Sequence, residues 1–201
     1  MKLSYNAVPF FPSMVHEFKN PKFDDIKNDL IEYVYNEREN DPAGQQFSNR
    51  GGWQSTPFKI SDENNIIHSY IYDSIANFTV VNQGVRMYID AWMNINPKGS
   101  FNEKHTHPGC AFAGTIWIKI PENSGNLYFY SPFGHISSDE IMSYDPNFSN
   151  SFNIPHTAFT IPEEGKMLIF PSYLEHSVAE NNSDEDRISM SFNIKIDNNH
   201  F

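Results

Sequence analysis

The chain has 201 residues, of which 39% are hydrophobic and 15% aromatic. This length and composition suit one globular domain with a hydrophobic core, and they exclude a disordered or fibrous chain. The formal net charge of -11 argues against a broad nucleic-acid-binding surface, because an acidic surface repels phosphate backbones.

The cysteine content and the N-terminus indicate a cytoplasmic protein. Cys110 is the single cysteine, so the chain cannot form an intrachain disulfide. Residues 1–14 lack the apolar run of a signal peptide and contain Pro9 and Pro12. Since no segment reaches the roughly 20 apolar residues of a membrane span, we expect no membrane association.

Two helices are predicted in the first part of the chain. The first runs from Asp24 or Asp25 to about Asn40, and the second from Asp62 to about Asn77. Apolar residues recur in them at spacings of three and four, as one buried helical face requires: Phe23, Ile26, Leu30, Tyr33 and Val34, then Ile67, Tyr70, Ile71 and Ile75. A Gly-rich segment, residues 48–55, lies between them.

From about residue 79 the pattern is typical of short strands separated by turns. Seven segments are predicted as strands: Val85–Asn94, Ala113–Ile120, Asn126–Tyr130, His156–Ile161, Lys166–Phe170, His176–Ala179 and Arg187–Ile196. Apolar and polar residues alternate strictly along the last segment. We therefore predict a single, mainly β domain over 1–201, an antiparallel sandwich or barrel from about 79 with helices from about 1–78 packed on one sheet.

Three histidines form the candidate metal site. His105 and His107 are two positions apart on an extended segment, so they project from one face. His176 follows a strand and a turn at Pro171, and an antiparallel jelly roll brings such strand ends together. Three ligands on one side of a metal leave positions for other molecules. Alternatively, the histidines are incidental, as we expect for His16, His68, His135, His156 and His200, with His135 and His156 nearest a cleft.

Arg187 and Ser189 form a candidate carboxylate-binding pair. They share one face of the last predicted strand, where a guanidinium binds a carboxylate through two parallel hydrogen bonds. The alternative is a surface ion pair between Arg187 and the acidic residues 184–186.

The pattern formed by His105, His176, Arg187 and Ser189 resembles the motif of the iron(II)- and 2-oxoglutarate-dependent oxygenases. The resemblance implies a double-stranded β-helix, or jelly roll, in which His105 and His176 bind Fe(2+), and Arg187 and Ser189 bind 2-oxoglutarate. It also implies O2 as the oxidant, so the chain would be an oxidoreductase of the dioxygenase type. Residues 48–55, 105–108, 170–178 and 187–193 are similar to a narrower, bacterial and phage-type group of these enzymes.

One position departs from the superfamily pattern. His107 stands where the family has an acidic metal ligand, which leaves the identity of the metal open because imidazole suits several transition metals. The catalytic metal site implied here is His105, His107 and His176. Glu103 is a candidate for an additional carboxylate near the metal.

Two other functions remain open at this point. The blocks around Gly99 and Gly165 also resemble the cupins, which share the jelly roll, and in that case Arg187 has no cosubstrate to bind. The cupin glutamate after the histidine pair is absent, since that stretch is Pro108–Ala113. The third possibility is a non-enzymatic jelly-roll binding or structural protein.

The substrate is not identified by these patterns, and small molecules and peptidyl residues both remain open. Asn94 is a candidate for cosubstrate binding, with Asn96 close to it, and Trp92, Tyr128 and Tyr173 are candidates for the cavity wall. Trp117 and Phe129 are expected in the core, and Cys110 is expected as a small buried thiol. A homodimer is possible.

Overall fold

The computed structural model describes residues 13–60, 65–76, 86–132 and 157–197. Within these ranges, two helices and twelve strands follow one another: β1 (His16–Lys19), α1 (Phe23–Asn40), β2 (Asn49–Arg50), β3 (Trp53–Gln54), β4 (Phe58–Lys59), α2 (Ile66–Ala76), β5 (Arg86–Asn96), β6 (Phe101–His105), β7 (Phe112–Lys119), β8 (Leu127–Tyr130), β9 (Thr157–Thr160), β10 (Lys166–Pro171), β11 (His176–Val178) and β12 (Arg187–Asp197).

The strands form two antiparallel sheets. The larger sheet has seven strands in the order β1-β10-β7-β12-β5-β3, with β4 also paired to β5. The smaller sheet has five strands in the order β2-β6-β11-β8-β9. The prediction of a mainly β, antiparallel fold is confirmed.

The larger sheet separates two apolar layers. One face of the sheet packs with the helices in the main core, to which β12 contributes Ile188, Met190, Phe192 and Ile194. Its other face forms a smaller core with the second sheet, which contains Trp117, Phe129 and Phe170. Because successive strand residues point to opposite faces, the odd-numbered residues of β12 and the even-numbered residues of β5 face the space between the sheets.

The helices cover the outer face of the larger sheet, as predicted. Helix α1 begins at Phe23 and buries Phe23, Ile26, Leu30 and Val34, while Tyr33 is only partly buried against the same core. Helix α2 begins at Ile66, later than the predicted start near Asp62, which lies outside the described residues. No helix in the described ranges is long and apolar enough to cross a membrane.

Several short strands were not predicted. Strands β2, β3 and β4 have two residues each, and they lie between the two predicted helices, β2 and β3 within the Gly-rich segment 48–55. Two residues are too few to show a period in the sequence. Strand β1 was missed as well, and β6 was expected only as an extended segment with a strand end near His105. His135, His156, His200 and the predicted strand start at Val85 lie outside the described residues.

Candidate metal centre

Pairing between strands β6 and β11 places His105 and His176 side by side. His105 is the last residue of β6 and His176 is the first residue of β11, and the two are directly opposite in the antiparallel pair. His107 follows two residues after β6, where its backbone N–H donates to the carbonyl of Ser172 at 2.9 Å. The structure thus brings all three predicted ligands together, with candidate donor atoms within 4.8 Å of one another.

Hydrogen bonds orient two of the three imidazoles. Nδ1 of His105 lies 2.7 Å from the carbonyl oxygen of Glu103, and Nδ1 of His176 lies 2.9 Å from that of Leu174. A carbonyl oxygen only accepts, so in each ring Nδ1–H donates and Nε2 carries the free lone pair. Nε2 of His107 and Nε2 of His176 are 3.2 Å apart, which places both on the shared centre.

The surroundings hold the histidines in the form that binds metals. Burial lowers the pKa of His105, the pKa of His107 to about 4 and the pKa of His176 to about 3. The charge that a neighbouring histidine would carry lowers the last two further. All three rings are therefore neutral at pH 7, and a neutral imidazole is the species that ligates a metal.

The other candidate ligands do not join this cluster. The carboxylate of Glu103 is bound instead by Arg50, with 2.5 Å between Oε2 and Nη2, so Glu103 orients His105 through its backbone carbonyl. The Cys110 thiol is half-buried and faces the carbonyl of Pro108 at 4.0 Å. Among the described residues, the group of three or more possible ligands consists of the histidines alone.

Arg187 lies in the same cavity as the histidines. It is the first residue of β12, opposite Asn96 of β5, and only 2% of it is exposed. The cavity wall contains the three histidines and a mixture of polar and apolar side chains: Trp92, Asn94, Asn96, Asn102, Thr115, Trp117, Leu127, Phe170, Val178, Arg187, Ser189 and Ser191. The cavity volume is about 50 Å³.

The guanidinium of Arg187 is only partly satisfied. Nη1 donates to the carbonyl oxygens of Ser124 and Ala179, the latter at 3.1 Å. Nη2 is buried without a hydrogen-bond partner. Burial lowers the pKa of Arg187 to about 10, so the group is still charged at neutral pH. A buried charged donor without an acceptor is costly unless a ligand supplies the acceptor.

The acidic loop before β12 does not neutralise Arg187. Asp184 pairs with Lys98 at 2.6 Å, Glu185 with Lys119 at 2.9 Å and Asp186 with Arg38 at 3.9 Å. No carboxylate of the described residues lies within 4.0 Å of Arg187. The alternative in which Arg187 forms a surface ion pair with this loop is therefore not what the structure shows.

The remaining predicted residues divide into two groups. Asn94 and Ser189 line the cavity, and the Asn94 amide donates to Ser191 Oγ at 3.1 Å. Trp92 also lines it, stacked on His107 with 5.8 Å between ring centroids. Tyr173 is 60% exposed and Tyr128 packs against Phe159, so neither belongs to the wall. Trp117 and Phe129 are buried, as expected.

Three polar residues near the histidines were missed by the sequence analysis. Ser48 Oγ lies 3.4 Å from Nε2 of His105, and it accepts a hydrogen bond from Asn102. Asn193 lies beside His107 at the far end of the polar face of β12. The alternation along β12 was a usable signal for Asn193, because it places this residue on the face of Arg187.

A second, wider cleft opens on the other side of the histidines. It has a volume of about 340 Å³ and shares Trp92, His105 and His107 with the first cavity. Aromatic, proline and uncharged polar side chains complete its wall: Phe47, Ser48, Gln54, Pro57, Thr106, Pro108 and Asn193. No lysine, arginine, aspartate or glutamate is among these lining residues, whereas the first cavity contains Arg187.

Comparisons with known proteins agree on one family and one fold. A family model described as "Putative 2OG-Fe(II) oxygenase" matches residues 90–193, which is just over half of the chain and includes the three histidines and Arg187. No curated protein matches the chain by sequence.

Solved structures of the same architecture include a Pseudomonas putida prolyl-4-hydroxylase. It is 12% identical with a TM-score of 0.62, and the match covers 91% of this chain and 92% of that one. A prolyl hydroxylase from Trichoplax adhaerens, in complex with a peptide fragment of hypoxia inducible factor, is 13% identical with a TM-score of 0.57, covering 90% and 83%. HygX from Streptomyces hygroscopicus, with nickel and 2-oxoglutarate bound, is 11% identical with a TM-score of 0.53, covering 91% and 82%. These likenesses confirm the predicted double-stranded β-helix.

Proposed function

The chain belongs to the 2OG-Fe(II) oxygenase family, and from that premise we propose that His105, His107 and His176 hold its iron(II) while Arg187 holds the far carboxylate of 2-oxoglutarate. As a family member the chain is an iron(II)- and 2-oxoglutarate-dependent oxygenase, an oxidoreductase. The observation that carries the residue assignment is Nη2 of Arg187, which is buried without a partner in the cavity that the three histidines line.

The donor set fits the proposed metal and cosubstrate. Three neutral imidazoles on one side of a centre suit iron(II) and leave room for other ligands. The unpaired Nη2 of Arg187 supplies a charge-assisted donor for a carboxylate, and Ser189 and Asn94 line the same wall. When bound, the metal and cosubstrate activate O2 and couple the oxidative decarboxylation of 2-oxoglutarate, to succinate and carbon dioxide, to oxidation of the substrate.

The protein's own residues orient the reactants and limit access of water. The carbonyls of Glu103 and Leu174 hold two imidazoles with Nε2 toward the centre, which avoids reorganisation when the metal binds. Trp92, stacked on His107, stands between the narrow cavity and the wider cleft, whose walls both include it. Arg187 fixes the cosubstrate in one direction, so its keto acid end faces the histidines.

The substrate is proposed to enter by the wider cleft. That wall has no charged residue, since its two histidines are neutral, so an uncharged substrate group is favoured there over an ionised one. A volume of about 340 Å³ is within the ordinary range for small ligands, and it also accommodates a single peptidyl residue. The peptide complex of the Trichoplax adhaerens structure makes a peptidyl substrate a reasonable candidate beside a small molecule.

The expectations on partners and location stay predictions. The net charge of -11 still argues against nucleic acid as a partner, and the lone cysteine still favours a cytoplasmic location. A homodimer and a single domain over the whole chain stay predictions as well.

The assignment is tested by anaerobic titration of the purified protein with iron(II) and 2-oxoglutarate. A keto acid chelated to iron(II) at an open site absorbs in the visible range, at about 500 nm. We expect this band with the wild type and its loss in His105→Ala and in His176→Ala. Tightly held zinc or nickel without the band would favour the cupin-like alternative, and a wild type without metal would favour a structural jelly roll.

Arg187→Ala separates cosubstrate binding from metal binding. Because it leaves the far carboxylate unpaired, we expect it to cost about 2–5 kcal/mol of 2-oxoglutarate binding while iron content is kept. Arg38→Ala is the matched control, since Arg38 is half-exposed and pairs with Asp186 at the surface. An unchanged 2-oxoglutarate requirement in Arg187→Ala would refute the proposed role.

A further inference from the structure

The polar face of β12 includes one acceptor without a partner, at Asn193. Ser191 on this face accepts from Asn94, and Arg187 donates to two carbonyls. Oδ1 of Asn193, farther along the same face, is shielded from solvent and makes no hydrogen bond of ordinary geometry. Since nearly all buried polar atoms are paired in native proteins, a donor for this oxygen is expected nearby.

The candidate donor for Oδ1 of Asn193 is His107. Asn193, His107 and Trp92 line the same side of the wider cleft. The Asn193 side chain approaches His107 as a hydrogen-bonding neighbour, which works against the fall in the pKa of that histidine. The two groups are therefore in position for a hydrogen bond, although Oδ1 does not reach the geometry of a formed one.

His107 also lacks the support that the other two histidines have. His105 and His176 each donate from Nδ1 to a backbone carbonyl two residues earlier in the chain. Within the described part of the chain, no backbone carbonyl plays this part for His107, whose Nε2 faces His176. A ligating imidazole needs an acceptor on its other nitrogen to hold its ring and its tautomer.

We propose that Asn193 is the positioning residue of His107: its Oδ1 accepts the Nδ1–H of the neutral imidazole and keeps Nε2 directed at the metal. This rests on the proposed role of His107 as a metal ligand. An amide is an uncharged acceptor, so it fixes the ring without adding charge to a site that already has imidazole in place of a carboxylate. The wider cleft thus carries on its wall the group that orients one ligand.

Cobalt(II) is the probe for this role, because its visible spectrum reports the geometry of its ligands. Affinity is measured for the full chain by competition with a chelator, and the spectrum is recorded at saturation. We expect Asn193→Ala to weaken cobalt binding by about 10–100-fold, as loss of a ligand's hydrogen-bond partner usually does, and to change the spectrum. Asn193→Asp keeps the acceptor at the same reach and should restore both. Lys195→Ala is the control and should leave both unchanged, because Lys195 is on the same face of β12 but pairs with Asp90 at the surface and lines neither cavity.

The His107→Ala background separates positioning from general damage. If Asn193 acts through His107, then Asn193→Ala causes no further loss once His107 is gone. An equal loss in both backgrounds, or no rescue by Asn193→Asp in a protein of unchanged thermal midpoint, overturns the proposal. Where His107→Ala holds too little cobalt to measure, the aspartate rescue decides.

The failure of this proposal is distinct from failure of the proposed metal site. A wild type that binds no cobalt contradicts the histidine ligand set itself. A wild type that binds cobalt, with Asn193→Ala unchanged in affinity and spectrum, contradicts only the role of Asn193.

Discussion

Individual histidines in this centre are neutral because of where they are buried. His176 is 4% exposed, and burial is the main reason that its pKa falls to about 3 and that of His107 to about 4. In the unfolded chain the same side chains have the ordinary pKa of about 6.5. Below that pH the unfolded chain therefore takes up protons that the folded chain does not.

This difference predicts acid sensitivity of the metal-free protein. Stability rises with pH wherever the unfolded state holds more protons, so the histidines' contribution is fully present above about pH 6.5 and is lost as pH falls toward their folded pKa values. We expect the free energy of unfolding, measured with urea, to fall between pH 7 and pH 5. His176→Gln, which does not titrate there, should reduce this fall; the same dependence in wild type and variant would contradict the explanation.

Some residue types in the site can be identified from the sequence alone, and others cannot. The histidines and Arg187 could be predicted because their spacing and their neighbours on strands point to one chemistry. The alternation along β12 places Asn193 on the face of Arg187, but it does not assign a role, because an asparagine on an alternating strand is usually a solvent-exposed residue. Only the burial of its Oδ1 and the neighbouring His107 give it a role.

At the scale of elements, the support of Arg187 depends on a close approach between two segments. Gly125, just before β8, has a φ of 88°, and a Cβ there would lie 2.5 Å from the carbonyl oxygen of Ala179. That carbonyl and the carbonyl of Ser124 are the two acceptors for Nη1 of Arg187. The missing side chain thus lets both carbonyls reach the guanidinium.

Gly125→Ala should therefore damage both stability and cosubstrate binding. Left-handed backbone strain and the clash with Ala179 together should cost about 2–4 kcal/mol, and 2-oxoglutarate affinity should fall while cobalt binding is kept. Gly109→Ala is the matched control: its φ is 81°, but nothing lies within 4 Å of the added Cβ, so only the strain remains. Equal effects of the two substitutions, measured by urea unfolding and 2-oxoglutarate titration, would contradict the role of Gly125.

Most elements of three or more residues were predicted to within a few residues, and the two-residue strands were not. Helix α1 and strands β7, β10 and β12 show their periods over many residues, so their ends fall close to the predicted ones. The two-residue strands β2 to β4 are set by partners that are distant in sequence, Phe101 and Asn102 for β2 and β5 for the others. Local patterns contain no information on such pairing.

In the whole molecule, the larger sheet separates the layer that stabilises the fold from the layer that holds the ligands. Leu30 of α1 is 1% exposed in the helical layer. Leu174 is buried in the layer between the sheets, and its carbonyl orients His176. Substitutions in the two layers should therefore differ in what they change besides stability.

The prediction compares Leu30→Ala with Leu174→Ala. Both create a cavity and should lower the free energy of unfolding by about 2–5 kcal/mol. Cobalt and 2-oxoglutarate affinities should stay unchanged in Leu30→Ala, whereas cobalt affinity should fall in Leu174→Ala because the carbonyl that holds His176 shifts. Thermal unfolding with chelator competition measures both quantities. Lost metal affinity in Leu30→Ala would show that the layers are not independent.

Strand β12 belongs to both layers at once. Its even positions from Ile188 to Ile194 fill the helical core, while Arg187, Ser189 and Ser191 line the cavity on the other face. Alternate residues of this strand therefore meet different requirements, side-chain volume at one position and hydrogen bonding at the next. Tolerance to substitution along β12 should therefore alternate with a period of two residues. An insertion of one residue would move every side chain after it to the opposite face of the sheet, so apolar residues would enter the cavity and polar residues the helical core.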